Sequence, residues 1–242
     1  MPLLAIETST RQLGVAVVEG GHVLASFELL AHYPHGVELP RAVTQTLASA
    51  GASLDQLDGL IIDIGPGSFT GLRIGLAFAK ALAFSRALPA VAVSSLDVLA
   101  AQVPFVGGRV CPVLDARQGN VYAARFRLDG GRPVRETEYL LGPAEELLGQ
   151  MKGAAVFLGD GCAAYRDRLE ALAPAAAIAP EDLWLPRSAT LGRLGAERFQ
   201  AGERHDLATL VPMYLYPLDC SVRGPGRPTS VLPRRTPAPQ PS

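Results

Sequence analysis

Lysine is almost missing from this chain: of its 22 basic residues only Lys80 and Lys152 are lysines, a bias read as codon or temperature preference rather than as chemistry. Cysteine is scarce as well. Cys111, Cys162 and Cys220 stand far apart with no paired spacing, which excludes a disulfide framework and a zinc knuckle and points to a reducing compartment. An excess of one charge is also lacking. A formal net charge of −1 excludes an electrostatic nucleic-acid binder acting alone. No apolar run is long enough to cross a bilayer, because Lys80 interrupts the greasiest segment and Arg73 and Arg86 flank it. Residues 1–6 lack a basic leader and their apolar run stops at Glu7, so they read as a first strand, not a secretion signal. A soluble, cytoplasmic chain is expected.

What is present is a large apolar inventory. With 242 residues and 48% hydrophobic content, the chain can bury a sizeable core in one large domain or two small lobes. Residues 65–80 are the most informative stretch, since a glycine-rich turn runs straight into an almost wholly apolar helix. Residues 60–64 before it read as a buried strand, so the glycines sit where the chain leaves a sheet edge and the first helical N–H groups stand unpaired. Such a corner suits an anion or a close-packed partner. Along the helix, apolar residues fill both the Phe69, Leu72, Leu76, Ala79, Ala83 line and the Ile74, Phe78, Ala81, Leu82 line. One core needs only one stripe. The polar edge is narrow, with Thr70, Arg73, Ala77 and Lys80 at helical spacing. Either the helix is central to its own domain, or half of it is covered by a second protein.

Strands and helices alternate through the first half. Residues 3–7, 14–19 and 23–29 look like three strands, followed by a helix over 37–50 with Leu39, Val43, Leu47 and Ala50 on one face and Pro40 in its first turn. Residues 90–93 form another buried strand, after which Ser94 and Ser95 cap a short helix. This order predicts a parallel or mixed α/β sheet. Around residue 107 the pattern restarts: the strand 110–115 ends in Asp115, a polar turn follows, and the strand 121–126 returns, as residues 3–7 end in Glu7 before their own turn. Two related lobes facing across a cleft would place Glu7 and Asp115 near its floor; strand-hairpin units are also common enough to recur by chance. Helices are expected over 143–151, 162–172 and 188–201, a strand over 156–158 and a last extended segment over 211–217. From residue 219 the chain turns to proline, arginine and small polar residues without an apolar period, the composition of a disordered, mildly basic tail.

Catalytic motifs are missing. The glycines of residues 65–71 have one residue too many for a dinucleotide fingerprint and lack the lysine of a P-loop, although Gly67 N–H and the Ser68 and Thr70 hydroxyls can still donate to a phosphate. A tight turn that binds nothing explains them as well. The histidines His22, His32, His35 and His205 make no metal-ligand spacing, and Asp115 with Arg117 reads first as an ion pair. Glu7-Thr8-Ser9-Thr10 is the better candidate, because a strand-end carboxylate followed by hydroxyls can hold a hydrated metal and phosphate oxygens. It is also simply a good turn. A second carboxylate placed as a general base is not apparent.

With Leu4-Ala5-Ile6-Glu7-Thr8-Ser9-Thr10, the block from Gly65 to Gly75, Val93-Ser94-Ser95-Leu96 and Asp115-Ala116-Arg117-x-Gly119-x-Val121-Tyr122 in this order, the chain resembles the TsaB family across residues 3–217. The resemblance implies a two-lobed, duplicated α/β fold of the actin, sugar-kinase and chaperone ATPase type, its mixed sheets flanked by helices. The lobes would span residues 1–106 and 107–218, with the tail at 219–242. It further implies a non-catalytic subunit required to make threonylcarbamoyladenosine beside the anticodon of tRNAs. The partners would be a homologous TsaD-type transferase and a TsaE-type ATPase, a homodimer would form when the chain is alone, and tRNA would be met only through the complex. No cofactor or metal is required. ATP or ADP is the ligand the cleft or subunit interface would admit, at Glu7, Thr8, Ser9, Thr10, Gly67, Ser68 and Asp115. The helices matching residues 37–50 and 68–86 form the family's dimer surface, assigning Leu39, Val43, Leu47, Phe69, Leu72, Arg73, Leu76 and Lys80 to the partner interface. Leu76→Arg is then expected to abolish complex and modification while leaving the chain folded. The rival readings are a kinase or ATPase using Glu7, a peptidase, and an RNA-binding module using the basic tail.

Overall fold

The computed structural model describes residues 1–30, 35–151 and 153–215. His32, Lys152, Cys220 and the tail at 219–242 therefore lie outside the described residues. The first half builds β1 (Pro2–Glu7), β2 (Gln12–Glu19), β3 (His22–Leu30), α1 (His35–Ser49), β4 (Gly59–Asp63), α2 (Phe69–Arg86), β5 (Ala90–Val93) and α3 (Ser95–Ala101). Its sheet runs in the order β3-β2-β1-β4-β5. The hairpin strands are antiparallel, whereas β1, β4 and β5 run parallel, as crossover helices require. Each central strand is buried on both faces. Leu4 and Ile6 of β1 join Leu60 and Ile62 under α1 and α2, while Leu3 and Ala5 join Ile61 and Val91 on the opposite face. Each fully buried aliphatic side chain contributes about 1.5–3 kcal/mol.

The second half repeats this plan with β6 (Arg109–Asp115), β7 (Asn120–Ala123), β8 (Phe126–Asp129), β9 (Arg132–Arg135), β10 (Leu140–Pro143), α4 (Ala144–Gln150), β11 (Val156–Leu158), α5 (Gly161–Ala164), α6 (Arg166–Leu172), β12 (Ala177–Ile178) and α7 (Ser188–Gln200). Its sheet order is β10-β7-β6-β11-β12, with β8 and β9 continuing from β6. Strand β6 takes the place of β1, pairing antiparallel with β7 and β8 and parallel with β11, which is parallel to β12. The result is a duplicated α/β arrangement of two mixed sheets flanked by helices.

Several sequence expectations need correction. The strand expected over 121–126 is two strands, because the backbone of Arg125 turns away to bond Thr137 Oγ1 at 3.0 Å and the Glu136 N–H at 2.8 Å. The helix expected over 162–172 is also two, broken at Tyr165 (φ −122°, ψ 21°). Helix α1 begins at His35, so Pro40 lies past its first turn, exposed on the outer side. The stretch 211–215 joins no strand; Met213 N instead donates to Ile64 O at 2.7 Å. Finally α7, which follows the second sheet in the chain, packs on the first: Leu191, Ala196 and Phe199 share a core with Ala5, Val18 and Ile61. No helix among the described residues is long and apolar enough to cross a membrane.

Candidate functional site

Strands β1 and β4 lie side by side in parallel register, with Ile6 opposite Ile62, so the acids that end them meet. Glu7 is 0% exposed and Asp63 1%. Glu7 Oε1 accepts from Ser9 N at 2.6 Å and Ser9 Oγ at 2.5 Å; Asp63 Oδ1 accepts from Gly65 N at 2.6 Å and Ser95 Oγ at 2.7 Å. The remaining oxygens, Glu7 Oε2 and Asp63 Oδ2, are buried with no hydroxyl or N–H donor bonded to them, and the two carboxyls act on each other. Burial first, and then the charge of Asp63, hold the Glu7 carboxyl well above its usual range, and burial raises Asp63 too. Two carboxyls buried side by side resist ionising together, so the doubly charged form of the pair is disfavoured. Sequence reading missed Asp63. Its signal was available only as a second strand-end acid, and register, not spacing, makes it a partner.

The glycine block covers this corner. A Cβ on Gly67 would stand 2.1 Å from Ser9 O, one on Gly71 2.1 Å from Thr8 O, and one on Gly75 2.2 Å from Thr8 Oγ1. Glycine at every fourth position thus lays the backbone of α2 directly on the turn after β1, and Ser68 N donates to Ser9 O at 2.6 Å. Thr8 and Ser9 are fully buried and Thr10 is 8% exposed. The assignment of Glu7, Thr8, Ser9 and Thr10 to a phosphate cleft is corrected accordingly: these groups are sealed beneath the glycine block, whose half-buried Gly67 lies against Ser9. Ser68 is exposed, and its hydroxyl accepts from Gly71 N at 3.2 Å as an N-cap.

Asp115 is half-buried at the end of β6. It accepts from Arg117 N at 2.9 Å, pairs with Arg117 Nη1 at 3.4 Å, and its own N–H donates to Asp160 Oδ1 at 3.0 Å. Burial raises Asp160. Among the described residues no three His, Cys, Asp or Glu side chains are grouped to hold a metal. Cys111 and Cys162 are buried, and burial pushes both thiols up to about 12, far from a reactive state.

The docking residues divide sharply. Leu39, Val43, Leu47, Leu72 and Leu76 are at most 5% exposed and belong to the core beneath α1 and α2, so their assignment to a partner interface is overturned. Sheet-facing residues of α2 are Gly71, Leu72, Gly75, Leu76, Ala79 and Ala83. A charge at Leu76 would attack the fold itself, against the expectation that the variant stays folded. Outside lies a different stripe, Phe69, Arg73, Ala77, Ala81 and Phe84, exposed along its whole length, with Phe69 at 53% and Phe84 at 94%. Helix α1 adds Val37, Pro40, Arg41, Thr44, Gln45 and Ala48 to the same outer side as an open, shallow surface. Residues 205–215 form a strap along the other flank of α2. His205 N donates to Ala90 O at 2.8 Å, Lys80 Nζ to Ala208 O at 3.4 Å and Arg73 Nε to Tyr214 Oη at 3.0 Å. Lys80 is thus engaged by its own chain. The strap and the stripe of Ala77, Ala81 and Phe84 were not legible from spacing alone.

A family model described as TsaD, tRNA N6-adenosine threonylcarbamoyltransferase, matches residues 29–217. The tRNA threonylcarbamoyladenosine biosynthesis protein TsaB of Bacillus subtilis is 33% identical over 219 residues, covering 89% of this chain and 94% of its own. Its namesake in Escherichia coli is 33% identical over 223 residues with the same coverage. Among solved structures, YeaZ from Pseudomonas aeruginosa superposes with a TM-score of 0.77 at 29% identity, over 88% of this chain and 99% of that one. With its duplicated sheets, its glycine-sealed corner and these relatives together, the chain belongs to the TsaB family.

Proposed function

We propose that this chain is the non-catalytic subunit required for threonylcarbamoylation of the adenosine beside the anticodon in tRNAs that read codons beginning with adenine. In this reading it pairs in the cytoplasm with a TsaD-type transferase subunit, acts with a TsaE-type ATPase, meets tRNA through the complex, and self-associates when the partner is missing. The supporting observation is the contrast on α2. One side seals the acid pair that an ATPase of this fold would need open, and the other leaves Phe69, Ala77, Ala81 and Phe84 exposed beside α1. Small residues between two phenylalanines suit close approach of another protein.

Ala77 replaces Leu76 as the position to test, being exposed and outside the core. Ala77→Glu should leave the melting temperature within a few degrees of the parent while co-purification with the transferase and modified tRNA are lost together. Persistence of both sinks the reading. So would nucleotide turnover by the purified chain alone that vanishes in Glu7→Ala, since that would make the sealed acid catalytic.

A further inference from the structure

The outer side of α1 and α2 is positive in balance, four cations against one acid. Its charged residues are Glu38 and Arg41 on α1 and Arg73, Lys80 and Arg86 on α2. Glu38 is already paired with Arg41 at 3.6 Å, and Arg86 reaches Asp55 on a neighbouring turn. Arg73 differs from these. Its guanidinium lies 3.8 Å above the Phe69 ring and 5.9 Å from that of Tyr214, and the two rings meet tilted by 40° with centroids 5.4 Å apart. Nε donates to Tyr214 Oη, leaving both terminal nitrogens without an acceptor among the described residues. Arg109, Arg125 and Arg198, by contrast, each hold a carboxylate. A planar fork, stacked in place and aimed outward from an apolar stripe, has little rotamer freedom left to lose on binding.

We propose that Arg73 receives a carboxylate, an Asp or Glu side chain, from an acidic surface of the protein that docks on α2. This rests on the reading of α2 as a docking helix and adds what the partner must carry. A second copy of this chain is the poorer complement, because Glu38, the one acid among the charged residues of this face, is already paired with Arg41, and the face is otherwise cationic. Hetero-association should therefore weaken as salt is raised, and self-association should tighten, as like charges are screened.

Titrate the intact chain against the TsaD-type subunit at about 50 and 300 mM salt, with sedimentation of the chain alone in parallel. Arg73→Gln should raise the heterodimer Kd about 30-fold or more at low salt and flatten its salt dependence. Arg73→Lys, which keeps the charge and loses the stacked fork, should fall between. Tyr214→Phe removes only the hydroxyl and should bind within about twofold of the parent. Parental affinity in Arg73→Gln, a heterodimer that tightens with salt, or an equal loss in Tyr214→Phe, which would place the effect in the strap, each overturns the proposal. These failures are separable from failure of the docking reading. That reading falls only if Ala77→Glu still binds.

Discussion

The molecule carries the same two-acid corner twice, and the copies have opposite fates. In the first half Glu7 and Asp63 end the parallel neighbours β1 and β4; in the second, Asp115 ends β6 and Asp160 follows β11, its parallel neighbour. Glu7 and Asp63 are sealed, and burial raises both carboxyls, whereas Asp115 is half-open and salt-bridged to Arg117. The strands do not make this difference. After Asp63 the chain lays down the 18-residue α2 with its backbone on the turn beyond β1, but after Asp160 it makes only the four-residue α5. Access to a strand-end acid is decided by the connection that follows.

Breaking the seal should give the largest effect. Gly71→Ala drives a Cβ to 2.1 Å from Thr8 O, a backbone atom that cannot rotate away, so α2 must lift from the turn. A loss of about 3 kcal/mol is expected in the denaturant midpoint. The matching test on the open corner is Gly119→Ala, where no atom lies within 4 Å and only the φ of +79° is strained. There the loss should be about 1 kcal/mol. Equal losses at the two sites would mean that the first corner is not sealed by close packing.

Much of this architecture was legible because it is written in apolar runs. Strands β1, β4 and β5 are built mainly of Ala, Val, Leu and Ile and bounded by polar turns, and the repeat of strand, acid and turn foretold the second sheet. The site was less legible. Which of the two greasy lines of α2 faces the sheet depends on how the helix sits, so Leu72 and Leu76 passed for docking residues although Ala77 and Ala81 are the exposed ones. Asp63 stood in view as the end of a strand run, but only the pairing register sets it against Glu7. The break at Tyr165 has no Gly or Pro to mark it. The 205–215 strap has no period at all, being held by scattered backbone bonds and by Arg73 and Lys80.

A pH series sharpens the comparison at intermediate size. Because the folded Glu7 carboxyl sits above its unfolded value of about 4.3, the folded state holds the extra proton as pH rises past that point. Its contribution is whole at acid pH and declines as pH climbs through the folded value, with a slope of up to about 1.4 kcal/mol per pH unit. Glu7→Gln mimics the protonated form and should flatten that decline without lowering stability at pH 5. A decline of unchanged slope in the variant would assign the pH dependence to other groups.

The smallest effect belongs to the open corner. Asp115→Ala removes an exposed ion pair and one acceptor for Arg117 N, so a loss of about 1 kcal/mol or less is expected. Its more telling readout is Asp160. Burial is the main influence holding that carboxyl up, and the Asp115 charge adds to it, whereas the N–H of residue 115 persists in the variant and continues to favour the ionised form. Carboxyl titration followed by NMR should therefore show Asp160 ionising at lower pH in Asp115→Ala while remaining above an exposed aspartate. An unmoved Asp160 would mean that the second pair is not electrostatically joined, and that the likeness between the two corners ends with their strands.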